Sequence, residues 1–408
     1  MSILRIQFGE YTADAGNAFV PMEVINENFK SVWKQPAALG LITEVKVEAG
    51  NYLVRAHLPS GDIAAAQAEV GSGATIDVLL QPAKYSPRES LSWAYYLKGT
   101  SRAMQSSAIA PLDHAKVPPG IAPNISFWLH RADSVWEPFA YDPQKGGQSY
   151  AHIETSSYDS SVQADDPNAL VVMEIDTNSG WRWNLGQFWI QVSGAGYPSK
   201  FVALPPSDHI RILVALDDEV GQDEDLLNVI VDGSNPQAEA LLGFLRNRDF
   251  SSARAIAEGV IDSAERLLFD KVRDPASAAI GGYYLLSAGR LDRLHDWTNN
   301  LANLFPWLPD GAVIHAWHLL RQKKQDVNQA RARLIEAANR GVPLYTRGLR
   351  LLFDGLNIFN RRADGTDAEV KSALERISPY ASAADWSTPT TSFYGQTPGD
   401  PEPFRPIH

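Results

Sequence analysis

Residues 275–304 read PASAAIGGYYLLSAGRLDRLHDWTNNLANL, and this stretch decides the fold of the C-terminal part of the chain. Its apolar residues recur at the three- and four-residue spacing of a helix face, and Gly289 separates two such segments. Prolines at positions 275, 309 and 343 follow each other at two intervals of 34 residues. Each proline stands near the first turn of a predicted helix, where proline is tolerated. We therefore predict stacked pairs of antiparallel helices within residues 235–380.

The repeat length and the paired helices of this region resemble those of tetratricopeptide-like proteins. The period agrees with that family better than the residue pattern does. Ala338 occupies a place where the family has a small residue, whereas Trp297 and Arg331 stand where alanine is expected. The resemblance implies a solenoid-like α-helical region with an extended surface for binding another protein.

Residues 1–83 change to short alternating runs separated by Gly, Asn and Pro, which is typical of strands and turns. Two such runs flank Ala49, Gly50 and Asn51, so we expect a hairpin across this turn. Residues 50–61, GNYLVRAHLPSG, resemble a strand of the transthyretin-like or carboxypeptidase-regulatory sandwiches. The resemblance implies a β-sandwich for residues 1–83.

The remaining segments complete a multidomain α+β architecture. Residues 84–124 have few apolar repeats and predict a linker with one short helix. Residues 125–234 return to strand patterning and predict a second β-rich domain. Residues 381–408 are rich in Thr, Pro and Gly, and we expect an irregular tail.

Composition excludes several classes of protein. The chain has no cysteine, so disulfide scaffolds and thiolate catalysis are impossible. Its net charge of −12 argues against a general nucleic-acid binder. No apolar run has the length of a membrane span, and the first residues lack the pattern of a secretory signal. We therefore predict a cytoplasmic protein with neither nucleic acid nor membrane as partner.

The two parts of the chain have opposite net charges. Residues 236–378 contain 20 Lys and Arg against 17 Asp and Glu, a net charge of +3, and the rest of the chain has −15. This difference indicates an anionic partner, which would be either an acidic protein or the chain's own β part. The alternative is an ordinary solvated helix surface. The candidate basic face consists of Arg321, Lys323, Lys324, Arg347, Arg350, Arg361 and Arg362.

Two tryptophans of the second β-rich domain are further candidates for partner binding. Trp181 and Trp183 follow a turn-forming Asn-Ser-Gly, which favours exposure on the surface, where they could anchor a protein or stack on a sugar. The alternative for such tryptophans is burial in a sandwich core.

No complete catalytic or cofactor motif is present, and we predict no cofactor. Phosphate-binding glycine loops and the nucleophile elbow are absent from the sequence. His315 and His318 lie three residues apart on one face of a predicted helix, which is the spacing of two metal ligands. Only His295 or Asp310 offers a third ligand, so helix packing is the alternative for this pair.

Two segments, residues 86–93 and 291–321, resemble bacterial proteins of conflict or defence loci that are encoded near caspase-like peptidases. The resemblance implies that this chain is a partner, regulator or cleavage target of such a peptidase. Cleavage requires an exposed, extensible segment, and the predicted linker contains basic residues that would mark the cut. The candidate cleavage sites are Arg88, Lys98 and Arg102.

Three functions are compatible with these observations. The first is a non-enzymatic protein-interaction or regulatory protein of a bacterial defence system, bound or cut by a caspase-like peptidase. The second is a metal-dependent hydrolase that uses the His315 and His318 pair. The third is a carbohydrate-binding protein.

Overall fold

The structure is a computed structural model of the 408-residue chain. It describes part of each predicted β-rich region and almost all of the helical region. The described residues are 2–8, 19–28, 30–38, 40–58, 63–80, 124–131, 135–139, 152–154, 169–176, 186–194, 197–207, 209–216, 227–233, 235–247 and 258–405.

Two sheets form the N-terminal part of the molecule. In the first sheet, β1 (Ser2–Phe8) pairs with β4 (Thr43–Val47) and, in parallel, with β7 (Thr75–Leu80). The second sheet has the order β3-β2-β5-β6, with all neighbours antiparallel. Its strands are β2 (Phe19–Asn26), β3 (Ser31–Ala38), β5 (Gly50–His57) and β6 (Ile63–Val70).

The predicted hairpin across Gly50 is wrong, although both of its strands exist. β4 belongs to the first sheet and β5 to the second, so the turn carries the chain from one sheet to the other. The inward side chains explain this path, because Val45 and Val47 of β4 and Val54 of β5 are all buried in the same core. Alternation along each strand predicts which residues face inward but does not predict which strands pair.

Two further sheets form the second β-rich region. Its first sheet has the order β17-β16-β13-β12-β8-β9, and its second has the order β10-β11-β14-β15. The strands are β8 (Asn124–Arg131), β9 (Trp136–Phe139), β10 (His152–Glu154), β11 (Ala169–Asp176), β12 (Gly186–Gly194), β13 (Tyr197–Leu204), β14 (His209–Leu216), β15 (Leu227–Asp232), β16 (Ser392–Thr397) and β17 (Asp400–Pro401).

The six-stranded sheet is covered on both faces. On β12, Phe188 and Ile190 belong to a core shared with β14 and β15 of the four-stranded sheet. Trp189, which points to the opposite face, belongs to the core that contains the helices. A sheet that is apolar on both faces lies between two layers, and here the layers are a sheet and a helical array.

The structure describes eight α-helices, and they confirm the predicted helical region. A 3-10 turn, Leu291–Arg293, separates two of them, and none of the eight is long and apolar enough to cross a membrane. The helices are α1 (Pro236–Asn247), α2 (Glu258–Phe269), α3 (Pro275–Ser287), α4 (Trp297–Leu304), α5 (Pro309–Arg321), α6 (Val327–Arg340), α7 (Thr346–Arg362) and α8 (Ala368–Ala383).

The proline spacing marks two of the three expected helix starts. Pro275 and Pro309 occupy the first position of α3 and α5, but Pro343 lies three residues before α7. The chain between Pro343 and α7 is extended instead of helical, because the backbone N–H of Leu344 donates to the carboxylate of Asp310 at 2.8 Å. Tyr345 forms a bridge with Thr390 in the C-terminal segment.

The expectation of an irregular tail at residues 381–408 is wrong. α8 continues to Ala383, and β16 adds to the six-stranded sheet by pairing with β13. Phe393 of β16 is fully buried and packs on Phe201 of β13, with ring centroids 5.3 Å apart. Burial of this aromatic side chain overrides the turn-rich composition of the segment.

Candidate functional site

The predicted histidine pair lies in the core of the helical array. His315 and His318 project from α5 toward Thr298 of α4, and all three side chains are buried. The Thr298 Oγ1 atom is 3.1 Å from Nδ1 of His315 and 3.0 Å from Nδ1 of His318. A single hydroxyl group therefore lies within hydrogen-bond distance of the Nδ1 atom of both rings.

The hydrogen-bond donors and acceptors of this cluster can be assigned one after another. The Nε2 atom of His318 is 3.0 Å from the amide nitrogen of Gln322, which donates, so this ring nitrogen accepts. Nδ1 of His318 then donates to Thr298, and the single hydroxyl hydrogen of Thr298 is donated to Nδ1 of His315. The remaining nitrogen, Nε2 of His315, is buried without a hydrogen-bond partner among the described residues.

Both imidazoles are held neutral. Burial lowers the pKa of His315 to about 4, and the positive charge of Arg333 adds to this effect. Burial also lowers the pKa of His318, with a smaller contribution from His295. A pair of neutral imidazoles is compatible with metal binding, so the test of the metal hypothesis is whether further ligands are present.

The two proposed third ligands have other partners. His295 lies 2.7 Å from Glu265, and Asp310 accepts a hydrogen bond of 2.8 Å from Tyr283. Across the described ranges, no group of three His, Asp or Glu side chains could hold a metal ion. This geometry supports the packing alternative for the histidine pair.

The residues of the predicted basic face lie on or just after two helices. Arg321, Lys323 and Lys324 lie at and beyond the C-terminal end of α5. On α7, Arg347 and Arg350 lie near the N-terminus and Arg361 and Arg362 at the C-terminus, with Arg350 and Arg361 about 16 Å apart along the axis. The structure therefore places the seven basic residues on α5, on α7 and in the connection after α5.

Two arginines of this set stack on tryptophans that the sequence analysis did not select. The guanidinium of Arg321 lies over Trp317 at 5.3 Å from the ring centroid, and that of Arg350 lies over Trp386 at 4.8 Å. The indole N–H of Trp317 donates to the carbonyl of Leu351 at 2.9 Å. Trp317 of α5 therefore reaches the residue next to Arg350 on α7. We call these four residues, Trp317, Arg321, Arg350 and Trp386, the Arg–Trp face.

The guanidinium groups of the Arg–Trp face are largely unused by the protein itself. Within the part of the chain that the structure describes, Arg350 has neither a hydrogen-bond acceptor nor a carboxylate within 4.0 Å. Arg321 donates one hydrogen bond, to the carbonyl of Leu286 at 2.7 Å. By contrast, Arg331 of α6 is bound by both carboxylate oxygens of Asp367, at 2.6 and 2.7 Å.

Part of this face had a sequence signal and part had none. Trp317 and Arg321 are four residues apart on a predicted helix, a spacing that places them on the same side. Trp386 follows α8 in the connection to β16, and no sequence pattern relates it to Arg350. Among the other candidates, Arg88, Lys98, Arg102, Trp181 and Trp183 lie outside the described residues.

Comparison with known proteins gives one family. Residues 240–406 match the family model Y4kD C-terminal domain, which represents uncharacterised bacterial proteins. The match covers less than half of the chain, and it contains helices α2 to α8, strands β16 and β17, and the whole Arg–Trp face. No curated protein matches the chain. The transthyretin-like and caspase-associated resemblances stay predictions.

Proposed function

We propose that this protein is a non-enzymatic interaction protein that binds a protein partner on its helical array. The observation that carries the proposal is the Arg–Trp face. Tryptophan, tyrosine and arginine are enriched among the residues that carry most of the binding energy of protein interfaces. Here two such pairs occur on the adjacent helices α5 and α7 and on the connection after α8, and Trp317 of the first pair donates to the carbonyl of Leu351, the residue after Arg350.

The exposure of this face supports the proposal. Trp386 keeps 37% of its surface accessible, and Ile358, farther along α7, keeps 38%. A large aromatic ring that holds a cation in place presents apolar area at a small entropic cost, since both side chains are already ordered. Repeated helical hairpins commonly provide extended binding surfaces of this kind.

The partner that we propose to test first is a caspase-like peptidase. This choice rests on the resemblance of residues 86–93 and 291–321 to proteins of defence loci, and the second segment contains Trp317 and Arg321. In this proposal the protein acts in the cytoplasm as a regulator, an adaptor or a cleavage target. Incubation of the two proteins followed by mass spectrometry would reveal cuts at Arg88, Lys98 or Arg102.

The test of the interaction itself is affinity capture from lysate of the native host with wild-type and variant baits. Trp386→Ala removes the exposed ring of the Arg–Trp face, and we expect the captured partner to be lost or strongly depleted. The matched control is Tyr394→Phe, which changes an aromatic side chain of the nearby β16 that is 6% exposed. Equal recovery of every prey with Trp386→Ala and wild type would contradict the proposal.

A further inference from the structure

We propose that the Arg–Trp face recognises an acidic segment of the partner, through carboxylate groups that pair with Arg350 and Arg321. The inference rests on the proposed function and specifies the chemistry of the partner. It starts from the difference between the arginines of the array. Those that stabilise the fold, such as Arg331, already hold carboxylates, whereas Arg350 holds none among the described residues.

The position of Arg350 is fixed without use of its hydrogen-bond donors. Among the described residues, the guanidinium contacts Trp386, with Cζ of Arg350 over the ring at 4.8 Å from its centroid. A guanidinium has five N–H donors in its plane, and a carboxylate binds two of them in parallel. An arginine that is stacked in this way is therefore ordered for bidentate binding before the partner arrives.

Arg350 has a carboxylate nearby on the same helix but does not form a salt bridge with it. Asp354 lies one turn farther along α7, at the spacing where acidic and basic side chains commonly pair. Among the described residues, however, no salt bridge joins Arg350 and Asp354, and Asp354 is exposed. Arg350 is held on Trp386 instead, which leaves its donors available to a ligand from outside.

Arg321 on α5 has unused guanidinium donors, as Arg350 on α7 does. Arg321 is stacked on Trp317 and keeps one hydrogen bond, to Leu286 at the end of α3. The guanidinium retains further N–H donors, because that bond uses only its Nη1 atom. The Trp317 contact with Leu351 places this pair against the turn of α7 that carries Arg350.

The surroundings favour a peptide over a nucleic acid as the source of the anionic groups. Residues 236–378, which contain most of the face, have a net charge of only +3, whereas a nucleic-acid-binding surface is strongly basic. The face combines two cations with the exposed ring of Trp386 and the half-buried ring of Trp317, and mixed acidic and apolar side chains of a peptide would complement it.

The test uses the full-length protein and a fluorescently labelled peptide of about ten residues, which spans about 33 Å when extended. The peptide alternates Glu with Ser, and the control peptide has Gln in place of every Glu. We expect the Glu peptide to bind and the Gln peptide not to bind. Binding should weaken as salt is raised, because Arg321 is exposed to solvent and Arg350 is only half-buried.

Two substitutions with opposite expected effects test the site. Arg350→Gln should weaken binding of the Glu peptide by about tenfold, the loss of one charge-assisted bidentate contact. Asp354→Asn should strengthen binding, since it removes a negative charge that repels the Glu peptide. A gain in affinity cannot result from misfolding. The matched control is Arg376→Gln, an exposed arginine of α8 outside the face.

The results separate this inference from the proposed function. Equal binding of the Glu and Gln peptides, or equal weakening by Arg350→Gln and Arg376→Gln, would overturn the acidic-segment inference. The proposed function would still stand if Trp386→Ala abolished capture of the native partner. If a nucleic acid bound with the same dependence on Arg350 while the Glu peptide did not, the inference would also be wrong.

Discussion

The ammonium group of Lys200 lies 2.7 Å from the carboxylate of Asp385, and the Lys200 side chain is completely buried. Lys200 is on β13, and Asp385 follows α8, so the ion pair joins the second β-rich region to the C-terminal segment. Burial alone would raise the pKa of Asp385, but the Lys200 charge and hydrogen bonds from Lys200 and Ser387 lower it well below the ordinary range. The carboxyl group of Asp385 is therefore ionised at neutral pH.

We predict that breaking this pair destabilises the protein strongly. Lys200→Met leaves the carboxylate of Asp385 buried without its cation, and loss of one partner of a buried pair typically costs about 3–5 kcal/mol in the free energy of unfolding. The double variant Lys200→Met with Asp385→Leu should be more stable than Lys200→Met alone, because no uncompensated charge remains. Chemical denaturation of wild type, Lys200→Met and the double variant measures this, and a double variant less stable than Lys200→Met would contradict the interpretation.

We also predict that the segment matched by the Y4kD C-terminal domain family does not fold stably alone. Residues 240–406 include β16 but not β13. The missing β13 is the strand that pairs with β16, and it carries Lys200, the partner of Asp385. The indole N–H of Trp136 on β9 also donates to the hydroxyl of Tyr380 on α8, at 3.0 Å. Expression of 240–406 should give aggregated protein or a broad thermal transition.

A longer fragment is the control for this prediction. Residues 124–408 retain β13, β9 and both contacts, so this fragment should show a cooperative transition and resist proteolysis. A cooperative transition of similar midpoint for 240–406 would show that the family boundary is also a folding boundary, contrary to the prediction.

The sequence predicts the elements of this fold better than their partners. The helical periodicity of residues 275–304 and Pro309 at the start of α5 indicated the array correctly, because helix formation depends on local spacing. The addition of β16 to the sheet depends on contacts with Phe201 and Lys200, almost two hundred residues earlier in the chain. Such long-range contacts leave no periodic signal in the segment itself.

The candidate site shows the same limit. The basic residues were visible as a charge difference, but charge alone does not distinguish Arg331, which binds Asp367, from Arg350, which is stacked on Trp386. Both tryptophans of the face were present in the sequence. Their role became apparent only when the fold brought α5, α7 and the connection after α8 together.

Asp310 is a second buried carboxylate for which the structure makes a quantitative prediction. It accepts hydrogen bonds from the hydroxyl of Tyr283 and the backbone N–H of Leu344, each at 2.8 Å, and from the N–H of Tyr345 at 3.4 Å. Asp310→Ala leaves these donors unsatisfied inside the array. We expect a loss of about 3 kcal/mol or more in the free energy of unfolding.

Tyr283→Phe provides the comparison for Asp310→Ala. It removes one hydrogen bond but leaves both backbone donors bound, so the expected loss is about 1 kcal/mol. Both variants can be compared with wild type by urea denaturation. If Tyr283→Phe cost as much as Asp310→Ala, the hydroxyl, and not the binding of the chain before α7, would account for the stabilisation.

His315 makes the stability of the array dependent on pH. Its pKa is lowered to about 4 in the folded protein, from an ordinary value of 6.5, by burial and by the charge of Arg333. The neighbouring His318 adds to the lowering, whereas Glu336 opposes it. Between these two pKa values the unfolded chain binds more protons than the folded one, so stability should fall as pH falls from about 6.5 to 4, by up to about 3 kcal/mol.

Asp310 changes stability with pH in the opposite direction over a similar pH range. Its effect therefore has to be separated from that of His315. Burial raises its pKa to about 6, against its hydrogen bonds, so its contribution to stability is lost as pH rises through that value. The informative quantity is therefore the difference between wild type and His315→Asn at each pH. We expect His315→Asn to be less stable at pH 7 and the difference to narrow as pH approaches 4.

Thr298→Val is the control, since it removes the hydroxyl that contacts both rings but keeps the imidazole of His315 buried. Its stability should be lower at every pH, while its decline between pH 6.5 and 4 should remain. Denaturation curves at several pH values measure both effects. Parallel profiles for wild type and His315→Asn would mean that His315 binds a proton equally well in the folded and unfolded chains, and the cause of the pH dependence would then have to be sought at another group.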